Sequence, residues 1–222
     1  MRWLPRSWGW WLAWALLSLA GGLLLAQQAL LREQAAFETD ARIAHRLLSQ
    51  RVVAHDAVLA MLALLQPGDD ALARLPSVYS QILAIRRSDA QAPWAEAALR
   101  EAEARSRAAG HPALADLDPE QGRYRLVQAA LPASYALQID LASMVPWDEW
   151  PMARTQSPVA VALVLGGQRL PVQAGRPLAR GWTYAFSKPL AAPSQPFALV
   201  ATRTVGWSEL PWGRMLALSA AV

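Results

Sequence analysis

The three histidines, His45, His55 and His111, are the first residues of this chain that could carry acid–base chemistry or bind a metal. His45 and His55 are ten residues apart in a segment without helix-breaking residues. Ten residues place two side chains on different faces of an α-helix, so these histidines cannot share a metal ion. The sequence contains no cysteine, no phosphate-binding glycine loop and no nucleophile elbow. We therefore assign no catalytic residue and no metal ligand.

A group of acidic residues in the segment 111–122 is a second place to look for a cation. Asp116, Asp118 and Glu120 alternate along this segment, and carboxylate oxygens are the ligands that Ca²⁺ and Mg²⁺ prefer. Acidic residues of this kind in an exposed loop are more often only solvated. We predict that the segment is a loop and that its carboxylates face water.

Arginine, lysine and tyrosine side chains on predicted strands indicate a small-molecule site. A guanidinium grips a carboxylate through two parallel hydrogen bonds, so such residues converging on one sheet face would bind an acid. Tyr124 and Arg125 are neighbours in a strand, so they face opposite sides and only one can line a given pocket. The alternative is surface arginine and core tyrosine. The candidate ligand-binding residues are Arg86, Arg125, Tyr135, Tyr184 and Lys188.

The elements that must position these residues begin with an uncharged segment at residues 8–26. As a helix it spans roughly 28 Å, about the hydrocarbon thickness of a bilayer. Four tryptophans lie in its first turns, where indole rings favour the membrane interface. Arg2 and Arg6 precede it, which favours a cytoplasmic segment at 1–7. We predict a transmembrane helix over residues 8–31, with a cleaved signal peptide as the alternative.

Residues 27–65 contain neither proline nor glycine and are rich in alanine, leucine, arginine and glutamine, which predicts that the helix continues outward as a rod. Its apolar stripe has steps of three and four residues. The stripe either packs on its own domain or forms the seam of a parallel homodimer, and both hold if the near half pairs and the far half packs. The stripe consists of Phe37, Ala41, Ala44, Leu48, Val52, His55, Leu59 and Leu62.

Helices come first in the remaining chain and strands follow. A short helix at 71–75 and a longer one at 94–109 are followed by apolar or alternating segments bounded by proline and glycine. Residues 123–131 and 134–141 read as a hairpin that turns at Pro132 and Ala133. This order predicts an α+β fold with an antiparallel sheet that helices cover on one face. The predicted strands are 79–85, 123–131, 134–141, 159–165, 168–173, 181–188 and 195–205.

The last segment, residues 207–222, combines two tryptophans and Arg214 with an apolar run. This pattern is typical of a chain entering a membrane, and we predict the start of a second, truncated transmembrane helix. A helix packed on the core is the alternative. The net charge of +4 is small and spread along the chain, so we expect no nucleic-acid partner.

The order of these parts resembles the input half of bacterial transmembrane sensor histidine kinases. The segments that carry the resemblance are ARIAHRLLSQRVVAHDAVLAMLALLQP at 41–67, LPSVYSQILAIRR at 75–87, ASYALQIDLASMVPW at 133–147 and SQPFALVATRTVGWSELPW at 194–212. The resemblance implies a PAS-like sensor domain of the PDC or single-Cache type over residues 32–206, periplasmic and anchored in the inner membrane by two helices. It also implies a homodimer through the long helix and an unidentified small-molecule ligand.

In such a kinase the catalytic core, with ATP and Mg²⁺, and the response regulator that it phosphorylates would belong to sequence after residue 222. No cofactor is expected in the segment itself. His55-Asp56 is similar to the phosphoacceptor pair of these kinases, but the proline and polar residues that follow that pair are absent. We therefore expect a histidine on the helix surface or in the seam. The alternatives are the input region of a diguanylate cyclase or chemoreceptor, and a bitopic inner-membrane scaffold protein of a secretion or pilus machine.

Overall fold

The computed structural model describes residues 7–153, 157–176 and 180–221. The segment predicted to be cytoplasmic, residues 1–7, lies outside this part of the chain except for its last residue. Val222, the last residue of the predicted second membrane helix, also lies outside it.

The longest element is helix α1, Ser7–Leu65, whose 59 residues are the membrane candidate and the rod joined without a break. At 1.5 Å per residue it is about 88 Å long. Within the described residues it is the one helix whose length and composition allow it to cross a membrane. It ends where the chain reaches Gln66, which has a positive φ of 48°, followed by Pro67.

The apolar stripe of α1 packs against the sheets of its own chain. All eight residues of the stripe are buried, with at most 1% of each exposed. Phe37 contacts Tyr184 with ring centroids 6.5 Å apart, and Leu59 and Leu62 belong to the same core as Leu137. The interpretation that the stripe packs on its own domain is therefore confirmed, and this stripe is not free to be a dimer seam in either half.

In the residues that the structure describes, four short helices follow α1, and a 3₁₀ turn at Trp207–Glu209 precedes the last of them. The first of these helices, α2, is longer than the helix predicted at 71–75. The second, α3, begins three residues after the predicted start at residue 94. Glycine ends the second helix in a left-handed conformation, with φ of 73° at Gly110. The helices are α2 Asp69–Val78, α3 Ala97–Ala109, α4 Leu141–Met144 and α5 Trp212–Ala221.

Within the described part of the chain, eight strands form two antiparallel sheets, whereas the sequence predicted one sheet. The first sheet has the order β1-β4-β3-β2, and the second has the order β6-β5-β8-β7. The strands are β1 Ile82–Ser88, β2 Ala113–Asp118, β3 Arg123–Gln128, β4 Ser134–Asp140, β5 Val159–Leu165, β6 Gln168–Gln173, β7 Trp182–Pro189 and β8 Ala198–Val205. The α+β class and the antiparallel pairing are confirmed.

Three local predictions are wrong. The segment predicted as a loop at 111–122 contains β2, which pairs with β3 although its alanines and aspartates have low strand propensity. The strand predicted at 79–85 instead spans Ile82–Ser88, because Arg86, Arg87 and Ser88 each pair with a residue of β4. The first sheet has helices on both faces, since α1 packs on Tyr124 and Leu126 whereas α3 packs on Val127.

Helix α5 runs antiparallel to the part of α1 between Trp14 and Gly22. Trp14 donates a hydrogen bond from Nε1 to the carbonyl oxygen of Ser219 at 2.9 Å. A Cβ atom at Gly21 would overlap the side chain of Leu218, and one at Gly22 would lie 3.4 Å from Met215 Cε. The absence of side chains at these two glycines therefore lets the helices approach closely.

Candidate functional site

Strand β3 presents different side chains to the two faces of the first sheet, as the alternation of a strand requires. Tyr124 is 1% exposed and points toward α1, whereas Arg123 and Arg125 lie on the opposite, outer face. Helix α3 covers the part of the outer face around Val127 and Ala136. The part around Arg125 stays open, and the prediction that the side chains of Tyr124 and Arg125 face opposite sides of the sheet is confirmed.

The open part of the outer face carries a network of ion pairs centred on Arg125. Its Nε donates to Asp116 Oδ1 at 2.8 Å, and its Nη2 donates to the other oxygen of the same carboxylate. Its Nη1 lies 3.6 Å from Glu96 Oε1, which also accepts from Arg86 Nη1 at 2.6 Å. The Arg86 guanidinium in turn lies over the Trp94 ring, 5.7 Å from its centre. The network therefore links β1, β2, β3 and the start of α3.

These contacts set the charge of the site. The hydrogen bond from Arg86 lowers the pKa of the Glu96 carboxyl to about 2, so Glu96 is ionised at neutral pH. The hydrogen bond to Asp116 raises the pKa of Arg125. Arg123 Nη1 donates to Gln121 Oε1 at 2.9 Å, but its buried Nε atom has no partner among the described residues. The buried Oε2 of Glu96 has none there either.

A cavity of about 230 Å³ opens beside this network. It lies below the roughly 300–1,000 Å³ of pockets for drug-sized ligands, so it suits a small metabolite. Its lining mixes both signs of charge with two amides, and the residues are Asp116, Leu117, Asp118, Gln121, Arg123, Tyr124, Arg125 and Gln138. We refer to it as the outer-face site.

The structure brings together only two of the five predicted ligand residues, Arg86 and Arg125. Tyr135 lies on the inner face of the sheet, where its hydroxyl donates to Gln66 Oε1 at 3.1 Å. Tyr184 and Lys188 lie on β7 of the second sheet, and the Tyr184 hydroxyl donates to the Leu30 carbonyl at 3.2 Å. The prediction that these five residues converge on one face is wrong.

Two of the three acidic residues considered for a cation, Asp116 and Asp118, have other partners. Asp116 binds Arg125, and Asp118 Oδ1 accepts hydrogen bonds from the backbone N–H groups of Glu120 and Gln121 at 3.1 and 3.0 Å. No group of three potential metal ligands occurs in the ranges that the structure describes. Asp116 is instead a residue of the outer-face site that sequence reasoning assigned to solvent. Its alternation with Asp118 was the available signal for a strand.

Behind β3 lies a buried polar cluster that joins three elements, which we call the junction cluster (His55, Asp56, Tyr124, Ser194 and Gln195). The Tyr124 hydroxyl donates to Gln195 Oε1 at 2.8 Å. Gln195 Nε2 donates to the Val52 carbonyl at 2.9 Å and to Asp56 at 3.1 Å. Ser194 donates to the Asp56 carboxylate at 2.6 and 2.7 Å. The cluster ties α1 to the first sheet and to the β7–β8 connection.

His55 is a buried member of this cluster and not a surface residue, in contrast to one of the two expectations. None of its surface is exposed, and its Nδ1 lies 3.4 Å from the Tyr124 hydroxyl and 3.5 Å from Gln195 Oε1. Burial lowers the pKa of His55 to about 4, so the ring is neutral at neutral pH. Burial raises the pKa of Asp56, and the hydrogen bonds from Ser194 and Gln195 oppose this shift.

A second charged cluster lies where the second sheet meets α1, and we call it the base cluster (Glu33, Arg203 and Glu209). Arg203 Nη2 lies 2.5 Å from Glu33 Oε2 on α1 and 3.6 Å from Glu209 Oε2 on the 3₁₀ turn. Only 15% of the Arg203 side chain is exposed. Because β8 leads through the 3₁₀ turn into α5, the base cluster connects α1 to the segment that begins α5.

No protein-family model and no curated protein matches this sequence at a significant level.

Proposed function

We propose that this chain is the extracytoplasmic sensing and signal-transducing region of a sensor histidine kinase, with a PAS-like architecture. In this proposal the first part of α1 crosses the bacterial inner membrane, α5 begins a second crossing, and the two sheets lie in the periplasm. The observation that carries the proposal is the double role of β3. This strand places two arginines in the outer-face site and the tyrosine between them in the junction cluster.

The proposed mechanism follows a continuous series of contacts. An anionic ligand at Arg123 and Arg125 competes with Asp116 for the Arg125 guanidinium and shifts β3. Tyr124 moves with the strand and displaces Gln195, which is held on α1 at Val52 and stands three residues before β8. Strand β8 ends at the base cluster, so a shift there changes how α5 lies against α1. A coupling free energy of about 1–3 kcal/mol is sufficient for such a switch.

The proposed homodimer uses the face of α1 that points away from the sheets. The stripe on the opposite side is buried. Four apolar residues on the outward side are at least 40% exposed, namely Ile43, Val53, Met61 and Leu64. Two copies of α1 in contact along this face would carry a shift of the sheets to the kinase core. That core, with ATP and Mg²⁺, would act on a response regulator. A cyclase or chemoreceptor output could be driven by the same movement.

The ligand that the outer-face site fits best is a small carboxylate that also carries a hydrogen-bond donor. The unpartnered Nε of Arg123 is a donor for the carboxylate, and the amide oxygen of Gln138 together with Asp118 offers acceptors. The cavity volume of about 230 Å³ limits such a ligand to a compact molecule.

A thermal-shift screen of the purified chain in detergent tests this proposal. The panel contains mono- and dicarboxylates and amino acids, with inorganic phosphate as a control anion. We expect at least one carboxylate to raise the melting temperature, and Arg123→Ala to weaken its binding by about tenfold or more, the value of one charge-assisted hydrogen bond.

Lys188→Ala is the matched control, because Lys188 is an exposed cation on the other sheet. It should bind the same compound as tightly as the unaltered chain does. A panel without any stabilising compound would contradict small-molecule sensing and favour the scaffold alternative. A compound that binds Arg123→Ala at full affinity would show that the outer-face site is not where the ligand binds.

A further inference from the structure

Three tryptophans form a rim at the end of the second sheet where α5 begins. The rings of Trp182 and Trp207 contact each other with centroids 4.8 Å apart, and Trp212 Nε1 donates to the Trp207 carbonyl at 2.7 Å. Trp207 is 57% exposed and Trp212 is 46% exposed. An indole ring with an apolar body and a polar N–H is suited to the boundary between hydrocarbon and water.

The position of the rim along α1 is given by two contacts. Tyr184, two residues after Trp182 on β7, binds the Leu30 carbonyl, and Met215 of α5 faces Gly22. The rim therefore lies between the levels of Gly22 and Leu30. Measured along the axis of α1, the rim therefore lies roughly 21–33 Å from Trp8. The rim and the tryptophans in the first turns of α1 are thus separated by about the 30 Å hydrocarbon thickness of a bilayer.

The charges around the rim are unbalanced in favour of cations. The nearby carboxylates are engaged, since Glu33 binds Arg203 and Glu209 lies 3.6 Å from both Arg203 and Arg176. Three further arginines are exposed and have no ion-pair partner among the described residues, namely Arg32, Arg180 and Arg214. Exposed guanidinium groups beside tryptophans complement phosphate groups of lipids, each contributing about 1 kcal/mol near an anionic surface.

We propose that this rim is a lipid-binding surface that seats the second sheet in the headgroup layer of an anionic phospholipid bilayer. The sheet then rests on the membrane, and β8 and the base cluster are held at a defined height above it. The proposal depends on α1 crossing the membrane, but on no ligand and on no kinase output. The phospholipid surface is then a partner of the folded sheets as well as of the membrane-spanning part of α1.

Spin labels at single cysteines test the depth of the rim, because the chain has no native cysteine. Ser208→Cys lies beside the rim and leaves all three tryptophans in place. Leu131→Cys is the reference for water, since Leu131 is 87% exposed in the connection between β3 and β4, and Leu16→Cys is the reference for hydrocarbon. Each labelled full chain is reconstituted in nanodiscs of phosphatidylglycerol and phosphatidylcholine. Collision rates with oxygen and with a water-soluble nickel complex are then measured.

We expect the label at residue 208 to show a depth between the two references, and to move toward water when Trp182 and Trp207 are both replaced by serine. It should also lie closer to water in nanodiscs of phosphatidylcholine alone, where the anionic partner is missing. A label at 208 that is as accessible to nickel as the label at 131 would overturn the proposal. Equal depth in the two lipid compositions would overturn the role of the arginines.

Discussion

Replacing Leu59 with alanine is expected to lower the free energy of unfolding of this chain by about 2–5 kcal/mol. Leu59 has no exposed surface and belongs to the core that α1 forms with the two sheets. The substitution removes buried methyl and methylene groups and leaves a cavity that close-packed neighbours fill only in part. Urea unfolding of the purified chain, followed by near-ultraviolet circular dichroism, measures the loss.

Ile43→Ala is the control for Leu59→Ala, because Ile43 lies on the other side of α1 and is 42% exposed. We expect it to change the free energy of unfolding by less than about 1 kcal/mol. If α1 pairs with a second copy through its outward face, Ile43→Ala weakens the dimer and Leu59→Ala does not. The reverse result, with Leu59→Ala dissociating dimers while the monomer keeps its stability, would make the buried stripe an intermolecular seam.

Acidification is expected to destabilise the fold through His55. The native pKa of about 4 is below the unfolded value of 6.5, so the unfolded state binds the proton more readily between these values. The neutral His55 ring makes its full contribution to the free energy of unfolding above pH 6.5, and this contribution is lost as the pH falls toward 4. The full loss is about 3 kcal/mol. Asp56 has a raised pKa and contributes in the opposite direction, since the native state binds its proton more readily.

His55→Gln separates the two contributions, because glutamine keeps a polar group in the junction cluster but does not titrate. Unfolding free energies at pH 7.5, 6, 5 and 4.5 are compared for the unaltered chain, His55→Gln and the control His45→Gln. We expect His55→Gln to lose less stability on acidification than the other two. If all three chains lose the same stability, His55 does not carry this pH dependence.

The elements with the strongest sequence patterns were predicted closely. All eight residues of the stripe predicted on α1 are buried, because apolar residues that recur every three or four positions line one face of a long helix. Val159–Leu165 and Gln168–Gln173 have the predicted bounds, since a run of apolar residues, two glycines and a return strand define a hairpin locally.

The partners of strands and side chains were not predictable in the same way. Nothing local in the sequence shows which strands share a sheet, so Tyr184 and Lys188 were grouped with Arg125 although they belong to another sheet. Strand β2 was missed because its alanines and aspartates favour other conformations, and only pairing with β3 makes it a strand. With β2 missed, Asp116 was assigned to solvent and its contact with Arg125 could not be inferred.

The proposed transmission from the outer-face site to the helices is tested most directly by a disulfide between α1 and α5. Gly21→Cys and Leu218→Cys place two thiols where the structure has direct contact. The rate of their oxidative cross-linking is measured in membranes, first alone and then with Asp116→Ala or Lys188→Ala. We predict that Asp116→Ala, which releases Arg125 as a ligand would, changes the rate by about fivefold or more, and that Lys188→Ala does not. Equal rates in all three chains would contradict transmission from the sheets to the helices.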